Sequence, residues 1–534
     1  MTRLCVPLTA DTVKRMAADI RVAARAGAEM IELRLDYLRD HDEAAIRQLM
    51  TVAGEFPGAV VATCRLAEEG GRYNDDESRR IALMEKIAVE GADYLDFEYE
   101  AWQRSAEVRQ RIGAVCQEKA DQDRAPTRLI LSKHDFERTP ADLGKLFEDL
   151  AREPCHVVKL TARAERITDA LVMLDALRAS ATKHPTIALS MGETGVLTRV
   201  LAKKFGALLT FASLETGKES APGQLTIDEM RSLYRWDKLN TQTRVYGVIG
   251  CPVAHSMSPA ILNAAFKAAD YDGIYLPMRV EPDYTDFEAF VDGCISRPWF
   301  GFGGCSVTIP HKRNLLQFVE QRGGEIEPLA RRIGAANTLC VEPGRREDGS
   351  DAQVAAYNTD YRGAMDALCA GMDTSEAGLS GSKVAVLGAG GVSRAIAAGL
   401  CDCGCRVTIY NRTVGKAQRL AEEFGATARP WEQRNAIEAD VVINCTSIGM
   451  WPGTDNSPLP DVRLSARTVV FDTVYNPVDT RLLRDARERG CRTIDGVAMF
   501  VNQAAAQFAR WTGQSAPIDV MRDVVVGRLS QRKE

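Results

Sequence analysis

The first 236 residues alternate short apolar segments with longer segments that carry apolar residues on one side only. Eight apolar segments, rich in β-branched and aromatic residues, begin at Leu4, Met30, Val60, Tyr94, Arg128, His156, Thr186 and Leu208. Between them, apolar residues recur every three or four positions, as Val13, Met16 and Ile20 do, which is typical of helices. Eight strands, each followed by a helix, over about 235 residues predict a (β/α)8 TIM barrel. A doubly wound open sheet is the alternative.

A second alternating pattern begins at Val245, after a polar stretch without periodicity at 234–244 that we interpret as a boundary with a short tether. This half predicts a two-lobed α/β unit, with a linking helix at 361–370 and a turn-rich junction at 371–382. Residues 345–353 are predicted to be a solvated loop. The expected domains are 1–236, a lobe at 244–365 completed by C-terminal helices at about 497–534, and a lobe at 366–496.

Polar side chains stand at the ends of the predicted barrel strands, where a structural core would carry Val, Ile or Leu. They are Glu32, Arg34, Arg65, Glu98, Lys133, His134, Lys159 and Ser190. Most are expected to point inward or to sit on the rim. Buried charges are expensive unless they serve a ligand, and barrel sites lie at the carboxyl ends of the strands. The pattern therefore predicts a site for an anionic or polar ligand at the barrel mouth.

A glycine loop follows the predicted strand that begins at Lys383 and opens a helix: Gly388, Ala389, Gly390 and Gly391, with Ser393 where a third glycine is usual. Backbone N–H groups at such a helix start bind a pyrophosphate, which predicts a Rossmann dinucleotide-binding lobe. The next strand ends at Asn411, Arg412 and Thr413, with Lys416 nearby, where enzymes that use NAD carry an acid. An arginine there suits a 2′-phosphate, so NADP(H) is favoured over NAD.

Composition restricts the function classes further. The 73 acidic and 67 basic side chains leave a net charge of −6, which gives no general field for nucleic acid or an anionic membrane. No apolar run approaches the ~20 residues that span a bilayer, and we expect a cytoplasmic protein without a targeting segment. The 14 cysteines are mostly scattered, and the cluster Cys401, Cys403 and Cys405 lacks the spacing of a zinc site. We interpret them as free thiols and expect no metal.

The second half resembles the shikimate dehydrogenase family over its whole length. The motifs are SMSP at Ser256, SVTIPHK around Thr308, GAANT around Asn337, NTD at Asn358, NRT at Asn411, NCTSIGM at Asn444, YNP at Tyr475 and FVNQAA around Gln503. The resemblance implies that Lys312 and Asp360 are the catalytic pair. It implies that Ser256, Ser258 and Tyr475 bind the substrate carboxylate and that Thr308, Asn337 and Gln503 contact ring hydroxyls. Thr446 and Gly496 join the implied NADP(H) contacts. His311 has no implied role and is expected to be a surface or core residue.

The first half resembles the type I 3-dehydroquinate dehydratases, through the motifs ELR at Glu32, RLAEEGG at Arg65, SKHDF around His134, VVKLT around Lys159, MGETG with Arg199, and SAPGQ at Ser220. A lysine at the end of an apolar strand is suited to attack on a carbonyl. The resemblance implies a Schiff base on Lys159, with His134 as the proton-transfer group and Glu69 orienting it. Arg199, Ser220 and Gln224 would fix the substrate, and Glu32, Arg34 and Arg65 would complete the mouth. It implies no role for Glu98.

Together the resemblances imply a bifunctional enzyme in which 3-dehydroquinate becomes 3-dehydroshikimate and then shikimate. Three alternatives stay open: a lysine-dependent aldolase in the barrel, quinate as the substrate of the second half, and a non-catalytic sensor. Ser258 favours shikimate, and a sensor would be expected to lose His134, Lys159, Lys312 or Asp360. The oligomeric state is not predicted.

Overall fold

The computed structural model describes residues 2–117, 126–342, 344, 352–460 and 464–531. Most of the predicted loop at 345–353 therefore lies outside the described residues. The chain divides into two compact units. The first holds residues 1–243 with the segments 276–281 and 289–294, and the second holds the remainder.

The first unit is built on an eight-stranded parallel sheet in the order β7-β6-β5-β4-β3-β2-β1-β8. Its strands are β1 (Arg3–Leu8), β2 (Met30–Arg34), β3 (Ala59–Thr63), β4 (Tyr94–Glu98), β5 (Arg128–Asp135), β6 (Val157–Arg163), β7 (Thr186–Met191) and β8 (Leu209–Phe211). The backbone N–H of Leu208 donates to the carbonyl of Thr186 at 2.8 Å and joins the two end strands. The predicted barrel is confirmed.

Helices on the outside of the sheet connect the strands. They are α1 (Val13–Arg25), α2 (Glu43–Ala53), α3 (Glu77–Glu90), α4 (Tyr99–Arg104), α5 (Ala106–Gln117), α6 (Leu143–Ala151), α7 (Ile167–Ala181) and α8 (Val196–Val200). Side-chain caps fix several starts; Asp76, for example, accepts from the N–H of Arg79 at 3.1 Å at the start of α3. After β8 the expected helix is only a π-helical turn at Glu229–Leu233.

The barrel interior changes from apolar to polar along the strands. One layer takes a residue from every strand: Cys5, Met30, Val61, Tyr94, Ile130, Val157, Ile187 and Leu209. Two positions further on, and so on the same face, stand Glu32, Thr63, Asp96, Ser132 and Lys159. The polar layer lies toward the carboxyl ends of the strands, where barrel sites are built.

The segment treated above as a tether begins with packed residues. Trp236 is 1% exposed, and its indole N–H donates to Glu29 Oε2 at 3.3 Å. The next strand, β9, starts at Arg244.

The chain that follows the barrel forms two six-stranded sheets. The first has the order β10-β9-β11-β13-β14-β12, with strands β9 (Arg244–Gly250), β10 (Gly273–Arg279), β11 (Phe302–Val307), β12 (Glu325–Ile326), β13 (Thr338–Glu342) and β14 (Gln353–Tyr357). Its helices are α9 (Ser258–Ala268), α10 (Tyr284–Ile295), α11 (Lys312–Gln321) and α12 (Pro328–Ile333). The long helix α13 (Thr359–Met372) follows, two residues longer at each end than the predicted linking helix.

The second sheet is parallel, in the order β17-β16-β15-β18-β19-β20, which is the doubly wound arrangement of a Rossmann lobe. Its strands are β15 (Lys383–Leu387), β16 (Arg406–Asn411), β17 (Thr427–Pro430), β18 (Val441–Asn444), β19 (Val469–Asp472) and β20 (Arg492–Ile494). Its helices are α14 (Gly391–Asp402), α15 (Val414–Phe424) and α16 (Arg481–Glu488), followed by α17 (Gly496–Thr512) and α18 (Ile518–Gln531). None of the described helices combines the length and apolar character that a membrane crossing requires.

Candidate active sites

Lys159 stands in the polar layer of the barrel interior, 4% exposed. Its Nζ lies 2.6 Å from Oδ2 of Asp96, 3.8 Å from Oε1 of Glu32 and 4.8 Å from the ring centre of Phe211. The amine is therefore held between two carboxylates and covered by an aromatic ring. It is oriented for chemistry at the strand ends.

Asp96 lies between two cations. Its Oδ1 accepts from Nη2 of Arg65 at 2.8 Å and from the hydroxyl of Ser132 at 2.6 Å, while Oδ2 accepts from Lys159. Burial alone would raise the pKa of this carboxyl, but the charges of Arg65 and Lys159 outweigh burial and hold the pKa well below its usual range. Asp96 is therefore a permanent anion beside the buried lysine.

His134 and Glu69 form a second pair at the same cavity. Nδ1 of His134 lies 2.9 Å from Oε2 of Glu69, which also accepts the backbone N–H of His134 at 3.2 Å. Burial, then the charges of Arg65 and Lys159, lower the pKa of His134 well below its ordinary value, so the imidazole is neutral near pH 7. Burial raises the pKa of Glu69 to about 7. The neutral imidazole of His134 thus lies at the cavity as a base, with the carboxyl group of Glu69 beside its Nδ1.

The mouth of the barrel holds polar atoms that the protein itself does not satisfy. Among the described residues, Nε of Arg199, Nε2 of Gln224 and Oε1 of Glu69 are buried without a hydrogen-bond partner. Burial lowers the pKa of Arg199 to about 10, still far above neutral, so it stays charged. Buried polar groups without partners are rare, and two donors here face a cavity of about 90 Å³. They suit an anionic, hydroxylated ligand.

All nine residues predicted for the first site line this one cavity: Glu32, Arg34, Arg65, Glu69, His134, Lys159, Arg199, Ser220 and Gln224. Ser220 and Gln224 are joined, since Oε1 of Gln224 accepts the N–H of Ser220 at 2.8 Å. Arg34 is held by Asp36 through two bonds of 2.9 and 2.8 Å.

Three of the polar strand-end residues do not line this cavity: Glu98, Lys133 and Ser190. For Lys133 and Ser190 this corrects the expectation that they serve the mouth. Lys133 and Ser190 alternate with the inward-facing His134, Leu189 and Met191 and so lie on the outer face. Lys133 pairs with Glu100 there.

Glu98, for which no role was implied, supports the site through its contacts at the end of β4. Its carboxylate lies 3.3 Å from Nη1 of Arg65 and 2.5 Å from Nη1 of Arg80, and it accepts the N–H of Leu66 at 2.9 Å. It therefore fixes Arg65 and the loop that carries Glu69.

The second site is centred on Lys312 and Asp360, whose side chains are hydrogen-bonded to each other. Lys312 is the first residue of α11 and Asp360 the second residue of α13. Asn358 begins α13 by accepting the N–H of Tyr361 at 3.2 Å, which sets the position of Asp360. Two helix starts thus bring together residues that are far apart in sequence.

A cavity of about 410 Å³ surrounds this pair. Every residue predicted to bind the second substrate lines it: Ser256, Ser258, Thr308, Asn337, Tyr475 and Gln503. His255, Met499, Phe500 and Gln507 also line it and were missed by the sequence analysis. His311 is excluded from the cavity as a core residue, fully buried with its ring 5.3 Å from that of Phe287.

Asn337 has a fixed amide orientation. Its Oδ1 accepts from the backbone N–H of Thr359 at 2.7 Å and from the hydroxyls of Thr338 and Thr359 at 2.9 and 3.1 Å. Because the oxygen is already occupied, Nδ2 is the atom that remains for a ligand in the cavity.

The glycine loop forms a third cavity of about 450 Å³, lined by Ala389, Gly390, Gly391 and Lys416 on one side and by Lys312 and Asp360 on the other. A Cβ at Gly390 or Gly391 would meet open space, so a ligand can approach the backbone closely. Ser393, which stands at the position of the third glycine, is fully buried and accepts the N–H of Gly390 at 3.2 Å. Gly388 has φ +108, and a Cβ there would lie 3.1 Å from Cγ2 of Thr446.

The remaining predicted cofactor residues lie around this loop. Asn411 donates to the carbonyl of Thr413 at 2.9 Å in the turn after β16, and Arg412 and Thr413 are exposed there. Gly496 lines the substrate cavity at the start of α17, where a Cβ would lie 2.3 Å from the carbonyl oxygen of Val474. No group of three or more metal-ligating side chains occurs in the described part of the chain. Cys401, Cys403 and Cys405 are free thiols.

A TIM barrel with a buried lysine, followed by a two-lobed Rossmann unit, defines a lyase-type site and a dehydrogenase-type site in one chain. Known families match both parts: type I 3-dehydroquinase over residues 4–241, and shikimate dehydrogenase substrate binding domain over 248–339. The models of shikimate/quinate 5-dehydrogenase and of the shikimate 5′-dehydrogenase C-terminal domain match 372–450 and 496–526.

The bifunctional 3-dehydroquinate dehydratase/shikimate dehydrogenase of Arabidopsis thaliana chloroplasts is 36% identical over 529 residues, covering 96% of this chain and 82% of that protein. The chain belongs to this family of bifunctional 3-dehydroquinate dehydratase/shikimate dehydrogenases.

Relatives of the second unit alone are also found. The NADP(+) shikimate dehydrogenase of Methanosarcina mazei is 40% identical over 297 residues, covering 54% of this chain and 99% of that protein. The solved shikimate 5-dehydrogenase of Thermus thermophilus, in complex with NADP(H) and shikimate, is 32% identical, covers 54% of this chain and 99% of its own, and has a TM-score of 0.45.

Proposed function

We propose that this chain catalyses two consecutive reactions: dehydration of 3-dehydroquinate to 3-dehydroshikimate in the barrel, and NADPH-dependent reduction of 3-dehydroshikimate to shikimate in the second unit. Membership of the bifunctional family supports both reactions. The proposal rests mainly on two pairs of residues: Lys159 and His134 line one cavity, and Lys312 and Asp360 line another.

In the dehydration, the amine of Lys159 attacks the C3 ketone of 3-dehydroquinate, and loss of water gives a protonated Schiff base that serves as an electron sink. His134, neutral because of its lowered pKa, removes the proton from C2. The same imidazole then delivers a proton to the departing C1 hydroxyl, which leaves as water. A second water hydrolyses the Schiff base, which releases 3-dehydroshikimate and restores the amine of Lys159. Glu69 accepts from Nδ1 and balances the charge on the imidazolium.

The substrate is bound by side chains that are already positioned in the protein without ligand. Arg199 and Gln224 present unpartnered donors, which suit the ligand's carboxylate and hydroxyl oxygens. Ser220, bonded to Gln224, completes that side of the mouth. On the other side, Arg34 and Arg65 are held in place by Asp36 and Asp96, with Glu32 beside Lys159.

In the reduction, NADPH when bound supplies a hydride. Lys312 holds the C3 oxygen of the ketone and gives it a proton, while Asp360 keeps the ammonium in place. Ser256, Ser258 and Tyr475 bind the carboxylate. Asn337, through its amide nitrogen, contacts ring hydroxyls with Thr308 and Gln503.

The residues of the Rossmann lobe fit a phosphorylated dinucleotide. The open glycines at the start of α14 accommodate a pyrophosphate, and Thr446 packs against Gly388 to hold the loop. Arg412, with Asn411, Thr413 and Lys416, provides cationic and hydrogen-bonding groups for a 2′-phosphate, so we propose NADP(H) as the cofactor. We also propose the domain division 1–236, 244–365 with 497–534, and 366–496, and a cytoplasmic location.

Two assays test the halves separately. Borohydride added with 3-dehydroquinate should trap a covalent adduct on the peptide that contains Lys159, and Lys159→Met should abolish trapping. Reduction of 3-dehydroshikimate should proceed with NADPH in the Lys159→Met variant at the wild-type rate. Trapping at another lysine would refute the role of Lys159, and no reduction of 3-dehydroshikimate would refute the assignment of the second unit.

A further inference from the structure

A continuous series of buried hydrogen bonds connects Tyr275 on β10 with Asn337, which lines the second substrate cavity. The phenol of Tyr275 donates to the hydroxyl of Ser306 at 2.6 Å, and Ser306 donates to Oε1 of Gln507 at 2.7 Å. Nε2 of Gln507 donates to the hydroxyl of Thr338 at 3.1 Å, which donates to Oδ1 of Asn337 at 2.9 Å. None of the five is more than 7% exposed. We refer to these five residues as the hydrogen-bond relay.

Two backbone groups fix the direction of the bonds in the relay. Nε2 of Gln507 also donates to the backbone carbonyl of Asn337 at 3.3 Å, and because a carbonyl only accepts, the nitrogen of the Gln507 amide must lie on this side. Oδ1 of Asn337 accepts the backbone N–H of Thr359 at 2.7 Å, which identifies the oxygen of that amide. Ser306 has one hydroxyl proton, which goes to Oε1 of Gln507. Every donor in the relay therefore points toward Asn337.

Gln507 and Asn337 both line the cavity, but their amides are used differently. Nε2 of Gln507 carries two protons, and the carbonyl of Asn337 and the hydroxyl of Thr338 accept both of them. The oxygen of Asn337 is occupied, whereas its nitrogen remains for a ligand. Gln507 therefore donates to the protein, and Asn337 is the residue that can donate to a substrate.

The Tyr275 end of the relay is also held in place. Asn263 on α9 accepts the backbone N–H of Tyr275 through Oδ1 and donates to its carbonyl through Nδ2, both at 2.8 Å. Burial raises the pKa of the Tyr275 phenol well above its usual value, so the phenol keeps the proton that it donates to Ser306. The relay thus begins at a residue whose backbone and proton are both fixed.

We propose, on the basis of the proposed function, that the hydrogen-bond relay orients Asn337 so that its amide nitrogen donates to a ring hydroxyl of 3-dehydroshikimate, which makes Tyr275 and Gln507 positioning residues of the dehydrogenase site. Because Gln507 donates to the Thr338 hydroxyl, the proton of that hydroxyl is directed to Oδ1 of Asn337. A donor that is oriented before the substrate arrives strengthens binding in the ground state and in the transition state alike. The relay should therefore act on KM more than on kcat.

The test is a double-mutant cycle between Gln507 and Asn337, measured by steady-state kinetics of 3-dehydroshikimate reduction on the full chain. Gln507→Met keeps the length of the side chain and removes its amide, and should raise the KM for 3-dehydroshikimate about tenfold while kcat changes less than about twofold. Asn337→Ala should raise this KM at least as much. In the Asn337→Ala background, Gln507→Met should add less than about a twofold rise in KM, because no amide is left to orient. Partial unfolding cannot produce this result, since KM does not depend on the fraction of active enzyme.

Two buried tyrosines provide a matched comparison. Tyr246 on the neighbouring strand β9 is 0% exposed, like Tyr275, but its hydroxyl is bonded to that of Tyr271 at 2.8 Å and lies outside the relay. Tyr275→Phe should raise the KM for 3-dehydroshikimate about threefold, because the Ser306 hydroxyl loses its donor and can turn away from Gln507. Tyr246→Phe should leave this KM unchanged.

Independent effects of Gln507→Met and Asn337→Ala, which multiply in the double variant, would overturn the inference, because Gln507 would then not act through Asn337. An unchanged KM in Gln507→Met, or equal effects of the two tyrosine substitutions, would also overturn it. Ser306→Ala, which interrupts the relay, replaces Gln507→Met in the cycle if that protein does not fold. Failure of the wild type to reduce 3-dehydroshikimate with NADPH would instead contradict the proposed function, and this inference with it.

Discussion

The amine of Lys159 lies 2.6 Å from Oδ2 of Asp96, and both side chains are buried inside the barrel. The same carboxylate holds Arg65 at 2.8 Å. Asp96 therefore sets the positions of a proposed nucleophile and of a proposed substrate-binding cation at once. This residue carries no motif of its own in the sequence, and it becomes visible only when the strands are closed into a barrel.

Asp96→Asn should lower the kcat of dehydration on the order of 100-fold, because it removes the charge that fixes Lys159 and Arg65. Reduction of 3-dehydroshikimate by the same preparation should be unchanged and serves as the internal control. Ser132→Ala, which loses one bond to Asp96 and keeps its charge, should have a much smaller effect. Equal losses in the two variants would show that the charge of Asp96 is not what matters.

The pH dependence of the dehydration rate should reveal the protonation of Glu69. Its pKa is raised by burial to about 7, so acidification below that value protonates the carboxyl and removes the group that balances the imidazolium of His134. The rate should fall on the acid side with an apparent pKa near 7 that belongs to the coupled Glu69–His134 pair. The Glu69→Gln variant should catalyse dehydration slowly at every pH, and its rate should not show the fall on the acid side. A wild-type fall retained in Glu69→Gln would refute the assignment.

The free energy of unfolding of the barrel should depend on pH through the protonation of Glu69. The folded pKa of Glu69, about 7, lies above its ordinary value of 4.5. The stability that protonation contributes is therefore complete below pH 4.5 and is lost as the pH rises to about 7. Between those values the free energy of unfolding of Glu69→Gln should vary less steeply with pH than that of the wild type. Parallel curves would contradict this.

Arg80 should be a stability residue of the barrel and not a catalytic one. It is fully buried on α3 and pairs with Glu98 at 2.5 Å and with Glu77 at 2.8 Å. Arg80→Met should destabilise the barrel by about 3–5 kcal/mol, because Glu98 would lose a buried counter-ion. The adjacent Arg79 pairs with Asp75 on the surface, and Arg79→Met should change stability by less than about 1 kcal/mol. Urea unfolding followed by loss of dehydration compares the two.

Cofactor preference should depend on the turn after β16. Arg412→Ala should raise the KM for NADPH with little change in the KM for NADH, since only NADPH carries the 2′-phosphate. Lys416→Ala should act in the same direction. Arg419, which lines the cavity beside Lys416, provides a control for loss of general positive charge. Equal effects of the three substitutions on NADPH and NADH would show that the turn does not recognise the phosphate.

The sequence predicted the barrel strands well because each is a short apolar run whose side chains alternate between two faces. It placed Glu32, His134 and Lys159 in one site because parallel strands end at one edge. It did not identify Asp96, and it put Glu98 at the strand ends without a role, since the function of an acid within a strand depends on neighbours that only the fold brings together. Ser190 and Lys133 were assigned to the barrel mouth only because they lie near strand ends. The alternation of side chains along a strand places both on the outer face of the barrel.

In the second unit, local patterns predicted the glycine loop because its chemistry is contiguous. Lys312 and Asp360 lie on different helices, and only the family motifs indicated that they pair. The buried support of Asn337 by Thr338 and Thr359 depends on tertiary contacts that no spacing encodes.

The central claim is that one chain performs two consecutive steps, each through its own lysine. The direct measurement incubates 3-dehydroquinate and NADPH with the wild type, with Lys159→Met and with Lys312→Met, and follows all three ring compounds by chromatography. The wild type should form 3-dehydroshikimate and then shikimate. Lys159→Met should leave 3-dehydroquinate unchanged, and Lys312→Met should accumulate 3-dehydroshikimate without oxidising NADPH. Shikimate formed at the wild-type rate by either variant would contradict the account.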